Sequence, residues 1–326
     1  MKQGYDFCVF VSHLDHLLNL DDTLRIIDKP GPELFEILDK NLKANQTAIT
    51  ILKKGLFKNI TQNLFDYTER IYFGQETCES LIHPLEEVRQ ALTYCNSNEF
   101  QFTLVTPYCG PKGIDKIIPV LQFLNSQEVE IEVVVNDFGI LYLLNTEYTN
   151  LIPVLGRLLT KTKRDPRFSL SGYELSTRSV KNPSKVGENQ KRALQMAGIS
   201  PMSEYKDMLK DKGIERIGVD SVPQGYDAGL IKKSDFSYDI YWPWSYITSG
   251  RNCAVAAYTQ PEKSFHPTDN SCSFQCRSFQ FSFTSDKRMY YSVQRGNAVW
   301  MDSEALHEEL FKIDFDRLVY IPYIPV

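Results

Sequence analysis

Val129-Glu130-Ile131-Glu132-Val133-Val134-Val135-Asn136-Asp137 decides the fold. The run is almost unbroken in apolar and β-branched residues and ends on two short polar ones. A strand of that composition is buried on both faces, as in parallel sheets covered by helices. The segments on either side repeat the pattern. Upstream lie a helical stretch at 114–124, the strand-like Gln101-Phe102-Thr103-Leu104-Val105 and a helical stretch at 84–94. Before these come Arg70-Ile71-Tyr72-Phe73, a helical stretch at 60–67 and Ala48-Ile49-Thr50-Ile51-Leu52. Downstream, a short helix at 140–144 precedes Ile152-Pro153-Val154-Leu155. The spacing then predicts a helix at 203–212, a strand at 214–219 and an aromatic strand at 238–247. A hairpin from 289–293 and Ala298-Val299-Trp300, a helix at 303–311 and a last strand at 317–321 follow.

Alternating strands and helices imply a parallel sheet. Counted from Thr47, about eight core strands over roughly 280 residues predict an α/β, TIM-barrel-like (β/α)8 fold, irregular in places. A doubly wound open sheet is the alternative. No G-x-G-x-x-G or P-loop motif follows any strand, so nucleotide binding of those kinds has no support. The division expected is a short N-terminal extension at 1–46 and a barrel domain at 47–326, with a metal-binding cysteine segment at 250–277. In the extension, Tyr5-Asp6-Phe7-Cys8-Val9-Phe10-Val11 reads as a short strand. Leu14, Leu17 and Leu18 follow at helical spacing, and Pro30-Gly31-Pro32 precedes a helix at 33–44. Residues 160–200 read as a long polar loop carrying a helix at 189–196.

The totals narrow the function. The 326 residues are 42% hydrophobic and 24% charged, with net charge −5 and pI about 5.7. That balance argues against gripping RNA or DNA through backbone charge, and RNA is not an expected partner. No basic start followed by an apolar core marks a signal peptide, and no apolar run approaches the ~18 residues of a membrane span. The expected location is the cytoplasm. Seven cysteines are too few for a disulfide scaffold in a chain this long.

Three of them crowd together. Cys253 follows Ser249-Gly250-Arg251-Asn252, and Cys272 and Cys276 follow a polar loop that holds His266. Thiolates on an irregular segment read as metal ligands. A four-cysteine site needs one more, and barrel chemistry sits at the C-terminal ends of the strands. Cys78 follows the second strand within five residues, and Cys109 follows the third. Cys78 is the choice and Cys109 its rival, while Cys8 and Cys95 read as buried thiols. Four thiolates serve zinc or an iron–sulfur cluster equally well. His13 and His16 read as the polar edge of a helix rather than as ligands.

Other residues on the same rim are candidates for chemistry. Glu76 could act as acid or base beside Cys78. Asn136 and Asp137 end the buried strand, with helix capping as the plainer role. Arg157 could hold an anionic substrate. Arg251 could bind a carboxylate or donate to sulfur. Tyr241, Trp242, Trp244 and Tyr246 form an aromatic block of which at most half can face one pocket.

Several of these stretches resemble a known family. Glu69-Arg70-Ile71-Tyr72-Phe73-Gly74-Gln75-Glu76-Thr77-Cys78, Val135-Asn136-Asp137-Phe138-Gly139, Leu155-Gly156-Arg157-Leu158-Leu159 and Ser249-Gly250-Arg251-Asn252-Cys253 are similar to the U32 family. That family comprises collagenase-like peptidases and oxygen-independent hydroxylases. The cysteine layout is nearest its UbiV-type branch, iron–sulfur proteins of oxygen-independent ubiquinone synthesis. The resemblance implies that Cys78, Cys253, Cys272 and Cys276 hold a [4Fe–4S] cluster, with Zn2+ as the alternative. It further implies hydroxylation of a small or carrier-bound substrate without O2, prephenate as a hydroxyl donor, and a heterodimer with a paralogous subunit. A U32-type peptidase and a non-catalytic, cluster-bearing subunit are the other readings.

Overall fold

The structure, a computed structural model, describes residues 5–25, 63–160, 162, 203–222, 225–226, 235–258, 272–283, 292–303 and 315–326. Its strands in chain order are β1 (Asp6–Val11), β2 (Thr68–Gly74), β3 (Gln101–Val105), β4 (Ile131–Val135), β5 (Leu151–Leu155), β6 (Arg216–Asp220), β7 (Ser237–Trp242), β8 (Trp244–Ser249), β9 (Phe281–Phe283), β10 (Ser292–Arg295), β11 (Ala298–Asp302) and β12 (Arg317–Tyr320). Eight of them close a parallel barrel in the order β1-β12-β7-β6-β5-β4-β3-β2. Helices Leu85–Ser97, Pro111–Asn125, Phe138–Thr146 and Ser203–Asp211 lie between successive strands. The fold is the expected (β/α)8 barrel.

The strands sort their side chains by parity. In β4, Ile131, Val133 and Val135 join the outer core, against the helices, while Val134 joins the inner one. The inner core is a packed layer that includes Phe10, Tyr72, Val105, Val154, Tyr241 and Val319. Below it, near the strands' first residues, is an ionic layer. Glu132 accepts from Arg317 Nη1 at 2.7 Å and Nη2 at 3.1 Å, and lies 3.3 Å from Arg70. Asp239 accepts from Arg216 at 2.7 Å and from the Tyr72 hydroxyl at 2.6 Å. Above the apolar layer, Arg157 joins Glu76 and Asp220. The polar residues that interrupt the strands therefore fill the two ends of the barrel with paired charge.

Two expectations are corrected. Barrel closure begins at Asp6, not after Thr47: β1 pairs in parallel with β2 on one side and β12 on the other. Residues 6–11 are thus a barrel strand and not part of an extension. Phe7 to Val11 are buried on both faces, which only a strand inside the closed sheet requires. The other strand-like run, 48–52, and the helix expected at 33–44 lie outside the described residues. So do most of 160–200, the 303–311 helix beyond Ser303, and His266. The aromatic run 238–247 is not one strand. It breaks at the cis Trp242–Pro243 bond into β7, which stays in the barrel, and β8, which leaves it.

β8 begins a second, four-stranded sheet ordered β8-β11-β10-β9, with antiparallel pairing throughout. It is inserted between the seventh and eighth barrel strands. Tyr246, Val293, Ala298 and Trp300 from this sheet pack into the inner core, so it caps the barrel mouth at the strands' C-terminal end. The expected hairpin is β10–β11. At the end of β2, Gly74 has φ +142° and an added Cβ would stand 2.1 Å from the Val105 carbonyl oxygen. Only glycine fits there, and Gln75 to Cys78 leave the strand from that point.

Candidate thiol site and its cavity

The four cysteines chosen from sequence come together. Cys253 and Cys276 are buried in one apolar cluster with Leu81, Val255, Ala256 and Val326, and Cys78, Cys272 and Phe281 pack against it. Cys78 arrives from the loop after β2, and Cys253 from the turn after β8. Cys272 and Cys276 arrive from the segment leading to β9. The rivals lie elsewhere. Cys109 and Cys95 belong to the outer core and Cys8 to the inner one. The Cys109 thiol donates to the Pro107 carbonyl at 3.5 Å.

Burial raises the affinity of these thiols for their protons. It pushes Cys276 up to about 12, with Cys78, Cys253 and Cys272 adding their repulsion. Burial also raises Cys78 and Cys253, against main-chain N–H groups of Ser80 and Leu81 for the first and of Ala256 and Val255 for the second. The Ala256 amide stands 3.4 Å from Cys253 Sγ. Donors of this kind stabilise bound thiolates. Among the described residues, no three His, Cys, Asp or Glu side chains stand ready to hold a metal ion. The four thiols belong to one apolar cluster.

The other candidates have plainer duties than the sequence offered them. Arg157 is fully buried, and its Nε and Nη2 are taken by the two oxygens of Glu76. Its Nη1 donates to Asp220 at 2.6 Å and to the Trp244 carbonyl at 2.9 Å, and the guanidinium lies 4.1 Å from the Tyr241 ring centre. Arg157 and Glu76 thus answer each other, and neither presents a vacant charge to a substrate. Asp137 caps the helix Phe138–Thr146, accepting from Gly139 at 2.7 Å and Ile140 at 3.3 Å. Asn136 ties three strand ends: it donates to the Thr106 carbonyl at 2.9 Å and accepts from Leu158 at 3.1 Å. Of the aromatic block, Tyr241, Trp244 and Tyr246 join the inner core and Trp242 the outer. His13 and His16 meet edge to face, and His16 stacks on Tyr323 at 3.9 Å.

Beside the thiols is a cavity of about 730 Å³. Cys78, Asn136, Tyr246, Arg251 and Asn297 line it, together with Tyr108 from the loop after β3 and Lys112 from the first turn of the helix that follows. Arg251 donates to the Tyr108 hydroxyl and lies 4.7 Å from that ring's centre, so the two form an exposed rim. The cavity is of the size that takes a small organic molecule.

Three consecutive residues that sequence reasoning passed over assemble this region. They form the turn of the β10–β11 hairpin. Arg295 Nε donates to the Cys276 carbonyl at 3.1 Å. Gly296, at φ +61°, puts its α-carbon side against Cys276, where an added Cβ would lie 3.9 Å from Sγ. Asn297 donates to the carbonyls of Thr77 and Gly250, joining the Cys78 loop to the Cys253 turn. The signal available in sequence was an Arg-Gly-Asn turn, which reads only as a turn.

No helix among the described residues is long and apolar enough to cross a membrane. No protein-family model matches the chain, and no curated protein does. Among solved structures, one described as a U32 peptidase aligns over 98% of this chain and 94% of its own, at 12% identity and a TM-score of 0.38. The barrel assignment rests on the strand pairing itself.

Proposed function

We propose that the chain is an iron–sulfur protein of the oxygen-independent hydroxylase kind, with Cys78, Cys253, Cys272 and Cys276 as cluster ligands. The observation that carries the reading is the meeting of these four thiols, from three separate loops, in one apolar pocket beside a ligand-sized cavity. An all-sulfur donor set in a dry shell with main-chain N–H donors suits a cluster.

When bound, such a cluster would supply electron transfer next to the cavity. The chain's own residues hold the substrate. Arg251, on the Tyr108 ring, and Lys112 give the cavity a cationic edge for a carboxylate-bearing hydroxyl donor such as prephenate. Tyr246 and Leu158 offer apolar wall, and the sheet β8-β11-β10-β9 shuts the barrel mouth beneath it. Glu76 and Arg157 keep that floor rigid as a closed ion pair. A paralogous subunit as partner belongs to the same reading.

Anaerobic purification with iron and sulfide analysis tests it. Roughly four irons and four sulfides per chain, with a visible absorption band that bleaches on reduction, are expected. A chain that carries zinc or no metal after anaerobic purification sinks the reading. Hydroxylation that appears only when a copurifying paralogue is present identifies the chain as one half of the catalyst.

A further inference from the structure

Arg295 differs from the arginines inside the barrel. Arg157 has Glu76 and Asp220, Arg317 and Arg70 have Glu132, and Arg216 has Asp239. Arg295 is partly buried, and among the described residues no carboxylate lies within 4 Å of it. Among the described residues its guanidinium meets main-chain carbonyls alone. Nε donates to Cys276 at 3.1 Å, Nη2 to Arg277 at 3.3 Å and Nη1 to Ile324 at 2.8 Å. His13, His16 and Cys276 are among the ionisable side chains that feel its charge. Burial lowers its own proton affinity, and Cys276 is the group that pushes back.

Neutral carbonyls satisfy the donors of a guanidinium but leave its charge uncompensated. Holding such a charge out of water is unfavourable unless a negative group stands nearby. The candidate negative group is the thiol pocket: once four sulfurs are ligands, the centre they form is anionic. The carbonyl that Arg295 grips belongs to one of those four residues, and the next residue of the turn, Gly296, packs on the same cysteine.

We propose that Arg295 is the built-in counter-charge and positioning residue of the thiol centre. It fixes the Cys276 turn against the segment around Ile324 and offsets the negative charge that the bound centre brings. The proposal rests on the four cysteines being ligands. It adds the residue that sets how readily the centre accepts an electron. A positive charge beside an anionic centre favours its reduced form, so removing that charge makes the reduction potential more negative.

The test compares the anaerobically purified full chain with Arg295→Gln and Arg295→Lys, reading iron, sulfide and reduction potential. Arg295→Gln is expected to keep the centre at a more negative potential, or to lose iron that Arg295→Lys retains. An unchanged potential in Arg295→Gln, or equal loss of iron from both variants, overturns the proposal. If the wild type takes up zinc instead of iron, the ligand metal was misread but the counter-charge is still measurable. Zinc affinity should then fall about tenfold or more in Arg295→Gln and recover in Arg295→Lys. Equal affinities overturn the proposal. A wild type that binds neither metal overturns both readings.

Discussion

Asn297 reaches across the site to Thr77, donating its side-chain amide to that main-chain carbonyl and to the carbonyl of Gly250 as well. The two carbonyls belong to the loops that deliver Cys78 and Cys253. Both amide hydrogens are therefore committed to holding the early and late halves of the site in register. Asn297→Asp keeps the shape but has no donors and sets a carboxylate against two carbonyl oxygens. It should loosen the thiol pocket while leaving the barrel folded. The measurement is cross-linking of Cys78 to Cys253 by a short bis-maleimide in metal-free protein. Its yield should fall in Asn297→Asp, with far-ultraviolet circular dichroism unchanged.

Cys78 and Cys109 follow neighbouring strands, but they sit in different clusters. Cys78→Ser should abolish bound iron as completely as Cys272→Ser or Cys276→Ser. Cys109→Ser should keep it, at a stability cost of about 1 kcal/mol for a hydroxyl in an apolar site. Iron analysis of the four single variants decides the ligand set.

Arg157 is fully buried between Glu76 and Asp220. Arg157→Met leaves two carboxylates in the barrel mouth without their cation. Breaking a buried ion pair this way costs roughly 3–5 kcal/mol. Denaturant unfolding should show that loss. The double variant Arg157→Met with Glu76→Gln should recover part of it, because one of the stranded charges is gone.

Glu132 gives the lower end of the barrel a pH dependence. Burial pushes its carboxyl up, but Arg317, Arg70 and Arg216 together outweigh burial and hold it below the ordinary 4.5. A depressed carboxyl contributes stability above its unfolded value, and that contribution is lost as pH falls through the folded value. The wild type should therefore exceed Glu132→Gln in stability at neutral pH, and the gap should close below about pH 4. Unfolding curves at pH 7 and at acid pH test the sign. A gap that widens on acidification would refute the ionic account.

Gly74 tests the exit from β2. Its φ and the 2.1 Å approach to the Val105 carbonyl leave no room for a methyl group. Gly74→Ala should cost more than the ~1 kcal/mol of ordinary backbone strain, because the obstacle is main chain that cannot rotate away. The thiol at Cys78, four residues on, should become more reactive to alkylation as its loop shifts.

The barrel was legible because its strands carry runs such as Ile131–Val135, buried whichever way the side chains point. The packing of Cys78 with Cys253, Cys272 and Cys276 was legible for a related reason: rim position separates Cys78 from Cys95. The roles of Glu76 and Arg157 were not. Each looks functional alone, and nothing local reveals that the two meet inside the barrel. Arg295 and Asn297 were invisible for another reason. They act on main-chain carbonyls, which every residue has, so their partners leave no mark on composition or spacing. The first strand was misplaced because Ala48-Ile49-Thr50-Ile51-Leu52 looks as strand-like as residues 6–11. Only pairing on both edges, to β2 and β12, distinguishes the strand that closes the ring.

That closure sets a timetable. On the ribosome Cys78 emerges long before Cys253, Cys272 and Cys276, and β1 must wait for β12, the last strand, before the ring can shut. The thiol pocket draws on loops from both ends of this sequence of events, and loops so far apart in the chain meet late. On the proposed reading, cofactor loading follows closure, because the sulfurs are presented together on a barrel whose first and last strands must first find each other.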